Sequence, residues 1–116
     1  MALDAPLIIE SKEGKTPGTK IMQLTGPVTL LNLFDLQAQL RTGELPRVTI
    51  LDLSGVPYMD SSGMGAIINY YVRCQNNGVK LIVVGISDRV LELFKLTKVD
   101  VLIVQAATIE EAEAKE

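Results

Sequence analysis

The stretch "VPYMDSSGMGAI", Val56 to Ile67, gathers an acid, two hydroxyls and two glycines between apolar flanks: Asp60, Ser61, Ser62, Gly63 and Gly65. Four chemistries call for such residues. A helix N-terminus has unpaired N–H groups and a partial positive charge, so it takes a carboxylate or hydroxyl oxygen as a cap, and Asp60, Ser61 and Ser62 are all candidates. A phosphate cradle uses the same N–H groups. A serine nucleophile needs a base beside it. A hydroxyl on an exposed turn can itself be a substrate, because a phosphoryl group adds a charge of about −1.5 to −2 and changes what docks there.

Two of these fail on the residues present. The lysine and spacing of the phosphate-binding loop G-x-x-x-x-G-K-[ST] are missing. The glycines follow the serines instead of bracketing one as in G-x-S-x-G, and the chain contains no histidine. That absence also removes Ser-His-Asp and Cys-His systems and His-containing zinc sites. The expectation is a protein that is not an enzyme, with no catalytic residue, no metal and no cofactor. Cap and modification substrate stay open side by side. Gly63 and Gly65 strain a pure cap, since glycine in a helix costs roughly 1 kcal/mol against alanine; what it offers is close approach of another backbone. Asp52, inside "VTILDLS", is where a receiver domain would carry its phosphoacceptor, but "LIIESKEG" supplies no acidic pair and "VLIVQ" no lysine. A buried Asp52 or Ser54 bonding to backbone is the better reading.

The elements that must position this turn follow from periodicity. Leu7–Glu10 and Thr19–Leu24 read as two strands around the turn-rich "KEGKTPGTK". Thr29 can cap a helix with Leu30, Leu33, Leu36 and Leu40 on one face, ended by Gly43 and Pro46. "RVTILDLSG" is a strand buried on both faces. From Asp60 the spacing turns helical, with Met64, Ile67, Ile68, Tyr71 and Cys74 inward, up to the "NNG" at 76–78. "VKLIVVG" is another buried strand. Ser87 or Asp88 caps a short helix carrying Val90, Leu93 and Phe94, Val101–Val104 is a last strand, and Thr108 opens an acidic terminal helix. The order β-β-α-β-α-β-α-β-α predicts a mostly parallel sheet with crossover helices, its opposite face thinly covered.

At 116 residues, 47% hydrophobic and 22% charged, the chain suits one domain able to bury a core without disulfides. A net charge of −3 with no basic cluster argues against nucleic acid as a partner. No apolar run approaches the ~20 residues that span a bilayer, so no membrane insertion is expected. The N-terminal residues lack a secretory pattern, and Cys74 stands alone, which together predict a cytoplasmic protein with Cys74 as a packing residue.

The segment "VTILDLSGVPYMDSSGMGAIINYYVRCQNNGVKLIVVGISDRVLELFKLTKVD" closely resembles the core of the anti-sigma factor antagonist (STAS) domain family. The D-S-S-G turn is the most specific part, and "GVKLIVVGIS" and "VLELFKLTKVD" follow it in the family's order and spacing. The resemblance implies a single STAS domain over 1–116, core about 7–115, of α/β class. Its sheet would be mixed, mostly parallel and four- to five-stranded, with helices mainly on one face.

The resemblance further implies a role. In bacterial antagonists the first serine of D-S-S-G is phosphorylated by a partner anti-sigma factor, itself a serine kinase with a histidine-kinase-like ATP fold. Carried over, that serine is Ser61. The unphosphorylated form would bind the kinase and free its sigma factor, and a metal-dependent serine phosphatase would reset it. The implied partner surface is Asp60, Ser61, Ser62, Gly63 and Gly65, with Tyr58 and Met59 beside them. Family members often carry a "G-x-L-D"-like segment whose acid lies near the partner interface; here Thr29 stands in the acid's place and is also a good helix cap. Among the other tyrosines, Tyr70 is the surface candidate and Tyr71 the core residue, and Met64 is read as core. A second function on the same fold is a non-switching scaffold in a stress-signalling complex, or an accessory subunit of an ABC transporter, with Ser61 structural. Ser61→Asp would leave that complex intact.

Overall fold

The computed structural model describes residues 5–116, which form five strands and four α-helices. Strand β1 (Ile8–Glu13) turns back through "GKTPG" to pair antiparallel with β2 (Thr19–Thr25), Ile8 opposite Thr25. Strands β3 (Val48–Gly55), β4 (Lys80–Val84) and β5 (Val104–Ala106) then add in parallel, giving the order β1-β2-β3-β4-β5. Parallel neighbours need crossovers, and each crossover carries one helix: α1 (Leu33–Arg41), α2 (Ser61–Asn76) and α3 (Asp88–Leu96).

Alternation along the strands sorts the core into two layers. Met22, Leu24, Leu51, Leu53, Leu81 and Val83 face α1, α2 and α3 in the larger cluster. Ile21, Val48, Ile50, Ile82 and Val84 face the other way, where the short α4 (Ile109–Ala114) covers them with Ala112 and Ile109. The mixed, mostly parallel sheet with helices mainly on one face therefore stands as expected, and one short helix is the thin cover on the second face.

Four details differ from the expectations. β5 runs Val104–Ala106, not Val101–Val104: Lys98 ends the preceding helix in the left-handed region (φ 62), and Val99–Val101 forms a 3-10 turn instead. β1 starts one residue later than expected and continues to Glu13. Leu30, read as inward, is 60% exposed, because Leu30–Asn32 is a 3-10 turn that precedes α1 and does not share its face. The inward stripe of α2 is Gly63, Met64, Ala66, Ile67, Tyr70 and Cys74, so Tyr70 is core and Tyr71 half-buried, the reverse of the expected assignment. Tyr70 lies three residues after Ile67 and four before Cys74, which puts it on their stripe.

Tyr70 is more than a filler. Its hydroxyl lies 2.7 Å from Thr49 Oγ1, a buried pair tying α2 to β3. Burial pushes the phenol up to about 12, partly offset by the Thr49 hydrogen bond. Because the fold favours the neutral phenol, its contribution is complete below the ordinary value of 10.0 and is lost as pH rises through 12. Alkaline titration followed by tyrosinate absorbance should show the Tyr70 phenol ionising near 12. Tyr70→Phe should remove that step and the accompanying loss of stability. Burial likewise raises the Cys74 thiol, which keeps it protonated and unreactive in the core.

Candidate functional site

The hydroxyl-rich turn lies where β3 leaves the sheet and α2 begins. After Gly55 the chain runs back toward the end of β2, and Met59 forms an isolated parallel bridge with Val28. Val28 N–H donates to the Tyr58 carbonyl at 3.0 Å, and Asp60 N–H donates to the Val28 carbonyl at 3.1 Å. Residues 58–60 are thus stitched to the segment leading into α1, and two loops form one rim.

Asp60 is the cap of α2. Its Oδ1 accepts the Gly63 N–H at 3.0 Å, and its Oδ2 accepts the Leu30 N–H at 3.1 Å. One carboxylate therefore satisfies the starts of two helical segments, the 3-10 turn Leu30–Asn32 and α2. Thr29 adds to the first by accepting from Leu31 N–H at 3.2 Å. Capping by Asp60 leaves Ser61, the first residue of α2, exposed, with Ser62 half-buried behind it. Asp60→Ala should lower stability by about 2 kcal/mol, since a charge-assisted cap on two N–H groups is lost, and urea unfolding with an unchanged slope is the check.

The two glycines have different reasons. A Cβ on Gly63 would stand 2.6 Å from both the Val28 carbonyl oxygen and Val28 Cγ1, and 3.0 Å from Met59 Cγ. Gly63 is there so that the 28–59 bridge can press on the helix end. A Cβ on Gly65 would meet nothing within 4 Å. Gly65 follows Ser61 by four residues, so it continues the Ser61 face along the helix.

The sequence-derived candidates therefore separate into two groups. Ser61 is exposed, and Tyr58, Asp60, Ser62 and Gly65 are half-buried on the rim. Thr29, Met59 and Gly63 lie beneath it, at 6% exposure for Thr29 and for Met59. The structure buries these last three under the rim where the sequence reading expects them on it: Met59 points inward because it alternates with Tyr58 and Asp60 along an extended segment, and the Thr29 hydroxyl accepts the Leu31 N–H.

Sequence reasoning missed an apolar shelf beside the serine. Leu31 is 72% and Phe34 78% exposed, alongside Leu30, whose N–H is held by Asp60. Such a cluster on a small monomer marks a contact surface more often than scattered exposure does. The signal was present in "TLLNLF", which holds more large apolar residues than one helix face can bury. The rim also carries Arg89 from the first turn of α3, its guanidinium carbon 5.7 Å from the centre of the Tyr58 ring.

The shape suits docking better than enclosure. An open depression of about 520 Å³ lies at the far end of the sheet, lined by Lys12, Thr16, Lys20 and Glu44 among others, away from the serines. Ser61 stands on a projecting helix end, accessible to a large partner rather than enclosing a small ligand. Among the described residues no group of three His, Cys, Asp or Glu is placed to hold a metal, and no helix is long and apolar enough to cross a membrane.

Comparison with known proteins adds the following. A sequence model described as the STAS domain matches residues 13–113. The anti-sigma-B factor antagonist of Listeria monocytogenes is 36% identical over 47 residues, covering 40% of this chain and 41% of that protein. The match thus spans about two-fifths of the relative's length. An anti-sigma factor antagonist from Mycobacterium paratuberculosis shares the fold at a TM-score of 0.86 and 17% identity, over 98% of this chain and 96% of that one. The Bacillus cell fate determinant SpoIIAA in its phosphorylated form shares it at 0.72 and 20% identity, over 93% and 98%.

Proposed function

The chain belongs to the STAS domain family, and from that premise we propose that it is an anti-sigma factor antagonist switched by phosphorylation of Ser61. The observation that carries the reading is the division of labour at the helix end: Asp60 does the capping, which leaves the Ser61 hydroxyl exposed and free to react. A serine needed for the fold would be the cap itself.

In this reading residues 1–116 act as one STAS domain in the cytoplasm. The unmodified rim of Tyr58, Asp60, Ser61, Ser62 and Gly65, with the Leu30, Leu31 and Phe34 shelf, docks on an anti-sigma factor that is also a serine kinase, and so frees a sigma factor. The kinase transfers the γ-phosphoryl group of ATP: the Ser61 Oγ–P bond forms, the bond to the β-phosphate oxygen breaks, and the hydroxyl proton passes to a base on the kinase. This chain supplies only the acceptor, which fits a protein without histidine.

The phosphate then sits at the N-terminus of α2, where the helix dipole stabilises it by about 0.3–1 kcal/mol. The same dianion opposes docking through desolvation and repulsion from partner carboxylates. A metal-dependent serine phosphatase restores the docking form. Support comes from the names of the relatives and from a structural neighbour solved as a phosphoprotein. The test is phosphopeptide mapping of the protein from its host, in growth and under stress, with phosphatases blocked. Phosphate confined to Ser61 and varying with conditions is expected. A bare Ser61 throughout would overturn the switch in favour of a scaffold.

A further inference from the structure

We propose that Arg89 is this chain's own reader of the Ser61 phosphate: its guanidinium rests on the Tyr58 ring while Ser61 is unmodified and turns to pair with the phosphoryl group once it is added. The inference rests on the proposed modification of Ser61 and concerns how the rest of the rim responds to it.

The charge layout carries the idea. Ser61 lies at the end of the sheet where β2, β3 and β4 finish. The lysines and arginine flanking the strands belong to the opposite end: Lys12 closes the antiparallel β1, while Lys20, Arg47 and Lys80 stand where β2, β3 and β4 begin. Among the described residues Arg89 is the one cation on the loops and helix starts around Ser61. The acids at this end of the sheet are Asp60, committed to two N–H groups; Asp52, bound to Ser54 N–H and the Gln23 amide; Asp35 and Asp88 in the first turns of α1 and α3; and, on the sheet's other face, Glu110 and Glu111 in the first turn of α4.

Geometry brings Arg89 to the extended segment that ends at the serine. Residues 58–60 are extended, so Tyr58 and Asp60 share one side while Met59 is buried on the other. Arg89 is held over Tyr58, three residues before Ser61. Among the described residues the sole ion pair is Arg47–Glu116, so Arg89 has no carboxylate to leave behind. On the half-buried Tyr58 ring the cation has one undirected contact, whereas a guanidinium meets a phosphate with two parallel, charge-assisted N–H donors. The exchange would uncover the Tyr58 ring as it fixes the phosphate, altering two parts of the rim at once.

The test uses the full chain with phosphoserine installed at position 61 during translation, so it does not depend on finding the kinase. Phosphorus NMR follows the second ionisation of the phosphate, ordinarily about 6, in the wild-type background, in Arg89→Gln and in Lys12→Gln. Pairing predicts a value about half a unit to one unit lower with Arg89 present than with Gln, a gap that narrows at high salt, and no change for Lys12→Gln. Identical titrations with and without Arg89 would overturn the inference, as would an equal effect of Lys12→Gln, which would mean net charge alone. Failure of the Ser61 switch itself would appear instead as a bare serine in the host, independently of this titration.

Discussion

On the proposed function, Ser61→Asp is expected to weaken docking on an anti-sigma partner by roughly a hundredfold, close to 3 kcal/mol, while Ser61→Ala is expected to dock like the wild type and to resist phosphorylation. The size is that of a fixed charge on a surface that docking would have to dry, with no countercharge to meet it. Loss of fold cannot mimic the result. An aspartate at the first position of α2 is favourable to the helix, by about 0.3–1 kcal/mol, so the variant should unfold at the same or a higher urea concentration. Titration calorimetry with the purified kinase, alongside unfolding, separates the two. Undiminished docking by Ser61→Asp would assign this chain to the scaffold role.

Gly63→Ala is expected to destabilise by about 3 kcal/mol, and Gly65→Ala, two residues on, to stabilise by about 0.5–1 kcal/mol. In the first, the new methyl carbon meets the Val28 carbonyl oxygen and side chain at 2.6 Å. A backbone oxygen held in the Val28–Met59 bridge has no room to retreat. In the second the methyl enters open space, and only the ordinary helix preference for alanine remains. Equilibrium urea unfolding of both proteins is the check. Equal effects of the same sign would refute the packing at the helix end.

The alternation of strands and helices was legible because it depends on local periodicity, and the D-S-S-G turn because it is a compact pattern. What could not be read was what lies against the turn. Nothing local in "GPVTLLN" says that Val28 bridges Met59, so neither the burial of Thr29 and Met59 nor the reason for Gly63 was available. The second hydrogen bond of Asp60, to Leu30 across thirty positions, is equally invisible along the chain. Tyr70 and Tyr71 were exchanged because adjacent residues on a helix differ by about 100° and either could extend an aliphatic stripe; the polar partner Thr49 decided it. β5 was misplaced because an apolar run looks like a strand, and the left-handed Lys98 stands where glycine would have signalled the stop.

The shared carboxylate of Asp60 has a kinetic consequence. Two amide protons distant in sequence, those of Leu30 and Gly63, are secured by one group. An opening that displaces the Asp60 carboxylate frees both amides at once, so Asp60→Ala should speed the exchange of both with deuterated solvent. A modification at the mouth of α2 then need not stay local: whatever loosens or tightens that end reaches Leu31 and Phe34 through one residue, and the surface offered to a partner changes as a whole.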